Sequence, residues 1–173
     1  MLQPCYNQAM ETPNLRIGLG SDVHRLKEGL PLYLGGLRIE SPWGCEAHSD
    51  GDALLHALID ALLGACHLGD IGEHFPPNDP KWKNIASKDM LAAVLLLIEE
   101  KHPHFYVVNL DAIVQLEAPK LLGYRHAIQA SLAHLLGMDV ERISVKAKTG
   151  EGLAPIGTHE AVATQVAILC DLG

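Results

Sequence analysis

Near the end of the chain, Val162, Thr164, Val166 and Ile168 alternate with Ala163, Gln165, Ala167 and Leu169. This period of two over residues 161–169 suits a strand covered on both faces. The alanine content keeps a terminal helix open as the competing reading. Residues 15–24, 106–116 and 143–147 also read as strands, and 32–34 with 37–39 as a hairpin turning at Gly35-Gly36. Ser49 is an N-cap candidate for a helix over about residues 50–66. Ser87 similarly opens a second helix through L-A-A-V-L-L-L-I-E-E-K, stopping before Pro103. A third, over roughly residues 121–136, ends at Gly137, where a left-handed cap is easy. The order of elements predicts an α/β (α+β) sandwich, a mixed sheet with helices packed on one face. No repeat or low-complexity linker marks a domain boundary. Residues 1–14 have no period and read as a loose N-terminal extension to a single domain over 15–173.

Composition narrows the functions. With 48% hydrophobic and 20% charged residues, the 173-residue chain has the make-up of a soluble globular domain. Only 5% are aromatic, so aliphatic side chains must fill the core. A formal net charge of −8 argues against nucleic-acid binding, which needs a basic face. A small anionic ligand stays compatible, because a metal ion and a few local cations can outweigh the global charge. Cys5, Cys45, Cys66 and Cys170 are scattered without a C-x-x-C pair, which supports neither a disulfide framework nor a cysteine zinc site. No basic residue precedes Arg16, no signal-like apolar stretch follows the start, and the longest apolar run, residues 91–98, is too short for a bilayer. A cytoplasmic protein is expected.

The chemistry gathers in two clusters. Asp22 and His24 stand at i and i+2 of the first strand, so both side chains leave the same face. A carboxylate and an imidazole there are zinc-competent; alone, the pair is a weak signal that reads first as a surface feature of a strand end. The second cluster is A-H-S-D-G-D-A-L-L-H at 47–56, followed by Asp60. On a helix Asp52, His56 and Asp60 drift by about 40° per step of four and form one polar stripe. Leu54, Leu55, Leu58, Leu62 and Leu63 point elsewhere. Such a stripe is either a solvated face or a set of partnered groups. In the second case His56 joins Asp22 and His24 as a third ligand, with Asp52 or Asp60 orienting its ring, and a fourth metal position stays open. His48 and Ser49 would lie at that helix's N-terminus, which favours phosphate oxygens.

Asp70-Ile71-Gly72 and the loop from Phe75 to Asp79 have the glycines for close backbone approach and the prolines for a fixed shape; a plain connection would look the same. Ala118-Pro119-Lys120-Leu121-Leu122 joins a strand to a helix, with Lys120 placed for a phosphate or merely in a turn. Ala147-Lys148-Thr149-Gly150-Glu151 leaves a strand with the donors that suit a phosphate and a hard cation. It is not a P-loop, and Gly18-Leu19-Gly20 lacks the rest of a dinucleotide fingerprint.

Taken in order, D-V-H at 22–24, A-H-S-D-G-D-A-L-L-H-A-L at 47–58, D-A-L-L-G-A at 60–65, L-G-D-I-G at 68–72, A-P-K at 118–120 and V-K-A-K-T at 145–149 resemble the 2-C-methyl-D-erythritol 2,4-cyclodiphosphate synthase family. The resemblance implies a ferredoxin-like fold and a homotrimer with active sites between subunits. It implies zinc on Asp22, His24 and His56, and a Mg or Mn ion on Glu151. Asp22, His24, His48, Ser49, Lys148 and Thr149 become substrate contacts, with His48 and Thr149 catalytic and the Thr149 hydroxyl stabilising the transition state. Asp70, Ile71 and Gly72 match contacts to the erythritol part, with Phe75 and Asp79 beside them. Ala118, Pro119, Lys120, Leu121, Leu122 and Ala147 match a cytidine pocket. The chain departs from many members at Ser21, along Lys148-Thr149-Gly150-Glu151-Gly152-Leu153-Ala154-Pro155, where Thr149 and Glu151 stay in register, and at Thr158-His159. Two rivals stand beside this activity: a metal-dependent hydrolase on the same scaffold, and a nucleotide-binding module with a structural metal.

Overall fold

The structure, a computed structural model, describes residues 13–173. The part of the expected extension over residues 1–12 lies outside the described residues. Asn14 is tied to the far end of the chain: its N–H donates to Asp171 Oδ1 at 3.1 Å and its carbonyl accepts from Leu172 N.

The elements follow as β1 (Leu15–Glu28), β2 (Leu32–Leu34), β3 (Leu37–Ile39), β4 (Trp43–Glu46), α1 (Ala53–Ala65), α2 (Ile71–His74) and α3 (Ser87–Lys101). Then come β5 (Tyr106–Gln115), α4 (Arg125–Leu136), β6 (Ile143–Lys148), α5 (Ala154–Gly157) and β7 (Ala161–Asp171). The main sheet has the order β4-β1-β7-β5-β6, and only β5 and β6 run parallel, joined by α4 as the crossover. The mixed sheet with helices on one face is as the patterning predicts. The last segment is a strand, paired along its length with β1 on one side and β5 on the other. β2 and β3 form the expected hairpin. Gly35 and Gly36 both have positive φ (65° and 77°), as a tight two-residue turn between twisted strands requires.

Four readings change. β1 runs four residues past the expected strand because Arg25 to Glu28 pair with β4, a strand too short for any period to announce. The cap of α1 is Asp52, not Ser49: its carboxylate accepts from Leu55 N at 3.0 Å and also from Gly35 N and Gly36 N at 2.9 and 2.6 Å. Ser87 is the first residue inside α3, whose N-cap, Ala86, has no side-chain bond; Asp50 accepts from Ser87 N instead. The third helical stretch splits into a 3-10 turn, Leu121–Gly123, and α4, which does end on a left-handed Gly137.

One face of β7 is sealed, with Val162, Thr164, Val166, Ile168 and Cys170 buried. The other face, with Ala163, Gln165, Ala167 and Leu169, is only partly covered, so the expectation of cover on both sides does not hold within one chain. The same open face carries Ile17, Leu19 and Val23 of β1, which are 78%, 74% and 63% exposed.

On the sealed side α1 lies directly on β1. A Cβ at Gly18 would stand 1.9 Å from Ala61 O, and one at Gly20 1.9 Å from Ala57 O. Only glycine admits that approach, and Ala57 and Ala61 keep the helix surface low where it lands. The contact sets His56, on the same helix, against Asp22 and His24 on the same strand.

Candidate functional site

Asp22 and His24 alternate with exposed Ser21, Val23 and Arg25, so both turn toward α1. His56 comes down from the helix to meet them. Asp22 Oδ2, His24 Nε2 and His56 Nδ1 form a triangle with every side 3.0 Å. Among the described residues this is the group of histidine, cysteine and carboxylate ligand atoms close enough to share a metal ion. Donor atoms of a tetrahedral site with bonds of about 2.1 Å stand about 3.4 Å apart, so a small relaxation seats a divalent ion. Two imidazoles and one carboxylate suit it chemically, since lone pairs aimed at one point repel unless a cation stands among them. Burial raises the Asp22 carboxyl, but the hydrogen bonds and charges of His24 and His56 outweigh this and hold it well below the usual carboxylate range. It is ionised at neutral pH. Burial pushes the Cys45 and Cys66 thiols up to about 12, so neither supplies a thiolate.

The triad stands at one side of a hollow of about 360 Å³, whose walls include His48, Ser49, Ile71, Gly72 and Phe75. Of the expected contacts to the substrate, these five therefore gather with the metal ligands. Asp70 and Asp79 do not line it. Each is spent as a cap, Asp70 on α2 through Glu73 N and Asp79 on the 3-10 turn at Pro80–Trp82 through Lys81 N. Nor do His48 and Ser49 sit on the first turn of α1, because the Asp52 carboxylate occupies that end.

The polar stripe of α1 divides into three jobs. Asp52 is fully buried and clamps the hairpin to the helix; burial pushes its carboxyl up, and three backbone N–H groups oppose that. Asp60 accepts from Ile71 N at 2.8 Å and so fixes the wall at Ile71-Gly72. Neither orients His56, contrary to expectation. Its Nε2 faces Ser87 Oγ at 2.9 Å and Ser49 Oγ at 3.1 Å instead. Ser87 and its partner Asp50 escaped the sequence reading because Ser87 looked like a cap and Asp50 like one more acid in H-S-D-G-D.

The remaining candidates lie elsewhere. Lys120, Leu121, Leu122, Ala147, Lys148 and Thr149 line a second hollow of about 190 Å³, together with Arg125, which sequence reasoning overlooked. Arg125 had a signal, lying five residues after Lys120. Ala118 and Pro119 form the turn into it, and Thr149 donates its hydroxyl to Glu151. Glu117, also overlooked, ties the two loops: it accepts from Lys120 Nζ at 3.3 Å and from Gly150 N at 3.0 Å. The strand register measures the gap. Asp22 is level with Thr164, Thr164 with Val114, and Val114 with Ala147. Three strand spacings, about 14 Å, separate the metal triad's strand from the Ala147 strand. The hollows share no wall residue.

Fold and site together define an α+β protein built on a five-stranded mixed sheet, with a triad that fits a divalent metal set on its first strand and first helix. Residues 15–171 match the YgbB family. The chain belongs to that family, the 2-C-methyl-D-erythritol 2,4-cyclodiphosphate synthases. A protein of that name from Treponema denticola is 48% identical over 155 residues, which are 90% of this chain and 95% of that one. Among solved structures, the bifunctional IspDF from Campylobacter jejuni matches with a TM-score of 0.87 and 41% identity, over 92% of this chain and 43% of that one. A 2C-methyl-D-erythritol-2,4-cyclodiphosphate synthase in its CDP-bound form matches with a TM-score of 0.82 and 45% identity, over 90% of this chain and all (100%) of that one.

Proposed function

We propose that the chain converts 4-diphosphocytidyl-2-C-methyl-D-erythritol 2-phosphate to the 2,4-cyclodiphosphate with release of CMP. The observation that carries this reading is the Asp22–His24–His56 triad opening on the hollow walled by His48, Ser49, Ile71 and Gly72. Residues 15–173 act as the single catalytic domain of a cytoplasmic enzyme. No helix among the described residues is long and apolar enough to cross a membrane.

Asp22, His24 and His56 are read as ligands of zinc, and Glu151 as the ligand of a Mg or Mn ion. Bound there, such ions would supply positive charge that offsets the negative charge on the phosphate oxygens in the transition state. In the reaction an oxygen of the 2-phosphate bonds to the β-phosphorus. The bond from that phosphorus to the bridging oxygen breaks, and CMP leaves with the electron pair. His48 and Ser49 hold the diphosphate in line, while Ile71 and Gly72 pack on the erythritol carbons. Lys120 and Lys148 offset phosphate charge, the Thr149 hydroxyl stabilises the transition state, and the turn from Ala118 to Leu122 receives the cytosine. Little covalent work falls to the protein, so positioning and charge neutralisation supply the acceleration.

In this reading the two hollows belong to one active site built from neighbouring subunits of a homotrimer. The register gap of about 14 Å within one chain, between hollows that share no wall residue, supports it. So does the open sheet face with Ile17, Leu19 and Val23, an apolar surface of the kind subunits cover. Incubation with Mg²⁺ and the cytidine-diphosphate substrate should yield the cyclic diphosphate and CMP in equal amounts. Ring-opened monophosphates would establish a hydrolase instead, and an unchanged substrate a binding module.

A further inference from the structure

We propose that Ser87, anchored by Asp50, is a positioning residue that sets the tautomer of His56 and so aims its Nδ1 lone pair at the metal. The inference rests on the reading of His56 as a ligand and extends it to residues on a different helix.

The hydrogen-bond partners of Ser87 decide where the His56 ring proton sits. Ser87 is buried, and its single hydroxyl proton is donated to Asp50 Oδ1. The other oxygen of Asp50 accepts from Ser87 N at 3.1 Å, so the carboxylate grips Ser87 by both of its donors. Toward His56 Nε2, 2.9 Å away, Ser87 Oγ can therefore only accept. Nε2 must carry the ring proton. When a metal ion takes the place of the hydrogen bond between Nδ1 and Asp22, a ring that keeps its proton on Nε2 presents the Nδ1 lone pair to the ion, at the atom 3.0 Å from both Asp22 Oδ2 and His24 Nε2. The opposite tautomer would set two lone pairs face to face at Ser87 and a proton where a metal should bind.

Ser49 fits the same assignment. Its Oγ accepts from Gly51 N at 3.1 Å and stands 3.1 Å from Nε2, so it shares the ring proton as a second acceptor. Its own hydroxyl proton is left free to point into the hollow. The two supporting loops are also stitched together: Asn84 N donates to His48 O at 2.8 Å and Asp50 N to Ile85 O at 3.2 Å. A carboxylate acting on a metal-bound imidazole through a hydroxyl raises the basicity of the ligand and locks its ring.

A purely structural role has a distinct signature. Asp50 caps α3 through Ser87 N, and Ser87→Ala leaves that cap in place while removing the hydroxyl. The test measures zinc affinity by chelator competition, melting of the metal-stripped protein, and the His56 ring nitrogens by nitrogen-15 NMR of the zinc-loaded protein. The wild type should show zinc on Nδ1 and a proton on Nε2. Ser87→Ala should bind zinc about 10–100-fold more weakly, with melting close to the parent, and Ser87→Thr should recover much of the affinity. Parental zinc affinity in Ser87→Ala, or coordination through Nε2 in the wild type, would overturn the proposal. The NMR result needs no variant to fold. A wild type that binds no zinc overturns the ligand reading itself, and the proposal with it.

Discussion

Three side chains from two elements meet within 3.0 Å of one another, and the two elements bring them there for different reasons. Asp22 and His24 share a strand face, whereas His56 depends on where a helix is allowed to lie. Removing one ligand should therefore empty the site without dismantling the fold. His56→Ala is expected to lose its zinc in metal analysis of the purified protein while its circular dichroism stays close to the parent. Full zinc occupancy in the variant would take His56 out of the ligand set. Glu151 poses a separate question, because it sits in the loop beside the other hollow and accepts from the Thr149 hydroxyl. Glu151→Gln replaces a carboxylate with a neutral amide, a poorer ligand for a hard cation. Zinc should remain, and the stimulation of turnover by Mg²⁺ should disappear from a metal titration of the rate. A variant that responds to Mg²⁺ like the parent removes the second-metal assignment.

Among the elements, the pairing of α1 with β1 decides whether the site exists. Gly18 and Gly20 bring the helix backbone to the strand, and a side chain at Gly20 would meet the carbonyl of Ala57 at 1.9 Å. Backbone cannot swing aside as a flexible side chain can. Gly20→Ala should cost about 3 kcal/mol, the upper part of the usual overpacking range, and weaken zinc binding, since His56 moves with the helix. Gly64 is the control on the same helix, where an added Cβ meets nothing within 4 Å. Gly64→Ala should gain about 0.5–1 kcal/mol from helix propensity alone. Urea titrations of both variants check the contrast, and equal effects would show that the close approach is not what holds α1 in place.

At the scale of the whole molecule, the hollow proposed as the metal half and the hollow proposed as the nucleotide half share no wall residue within one chain. His56→Ala and Lys120→Glu each damage one half. Co-expressed in equal amounts, they place an intact metal half beside an intact nucleotide half at about one site in four of a cyclic trimer. Activity should return to roughly a quarter of wild type if sites act independently. A site contained in one chain predicts no recovery, because every chain bears a lesion. Mixed trimers, verified by two affinity tags, that stay inactive would sink the shared-site reading.

Local information reached a long way into this protein. The strands other than β4, the main helices, the turn at Gly35-Gly36 and the shared face of Asp22 and His24 were legible because each depends on neighbours in the chain: a period of two, a left-handed glycine pair, two side chains at i and i+2. The partners of polar groups were not. Asp52, Asp60 and Ser87 are all competent hydrogen-bonding residues, and nothing local says which would touch His56. Sequence favoured Asp52 or Asp60 because they share its helix face. Packing chose Ser87, thirty-one positions away, by laying α3 beside α1, and assigned Asp52 to the hairpin and Asp60 to Ile71. The short strand β4 and the last four residues of β1 likewise exist only through each other. Composition and spacing settled which chemistry the chain can do. Tertiary structure settled which groups do it, because the choice among equivalent donors and acceptors is made by non-local contact, and here that contact begins where two glycines let a helix rest on a strand.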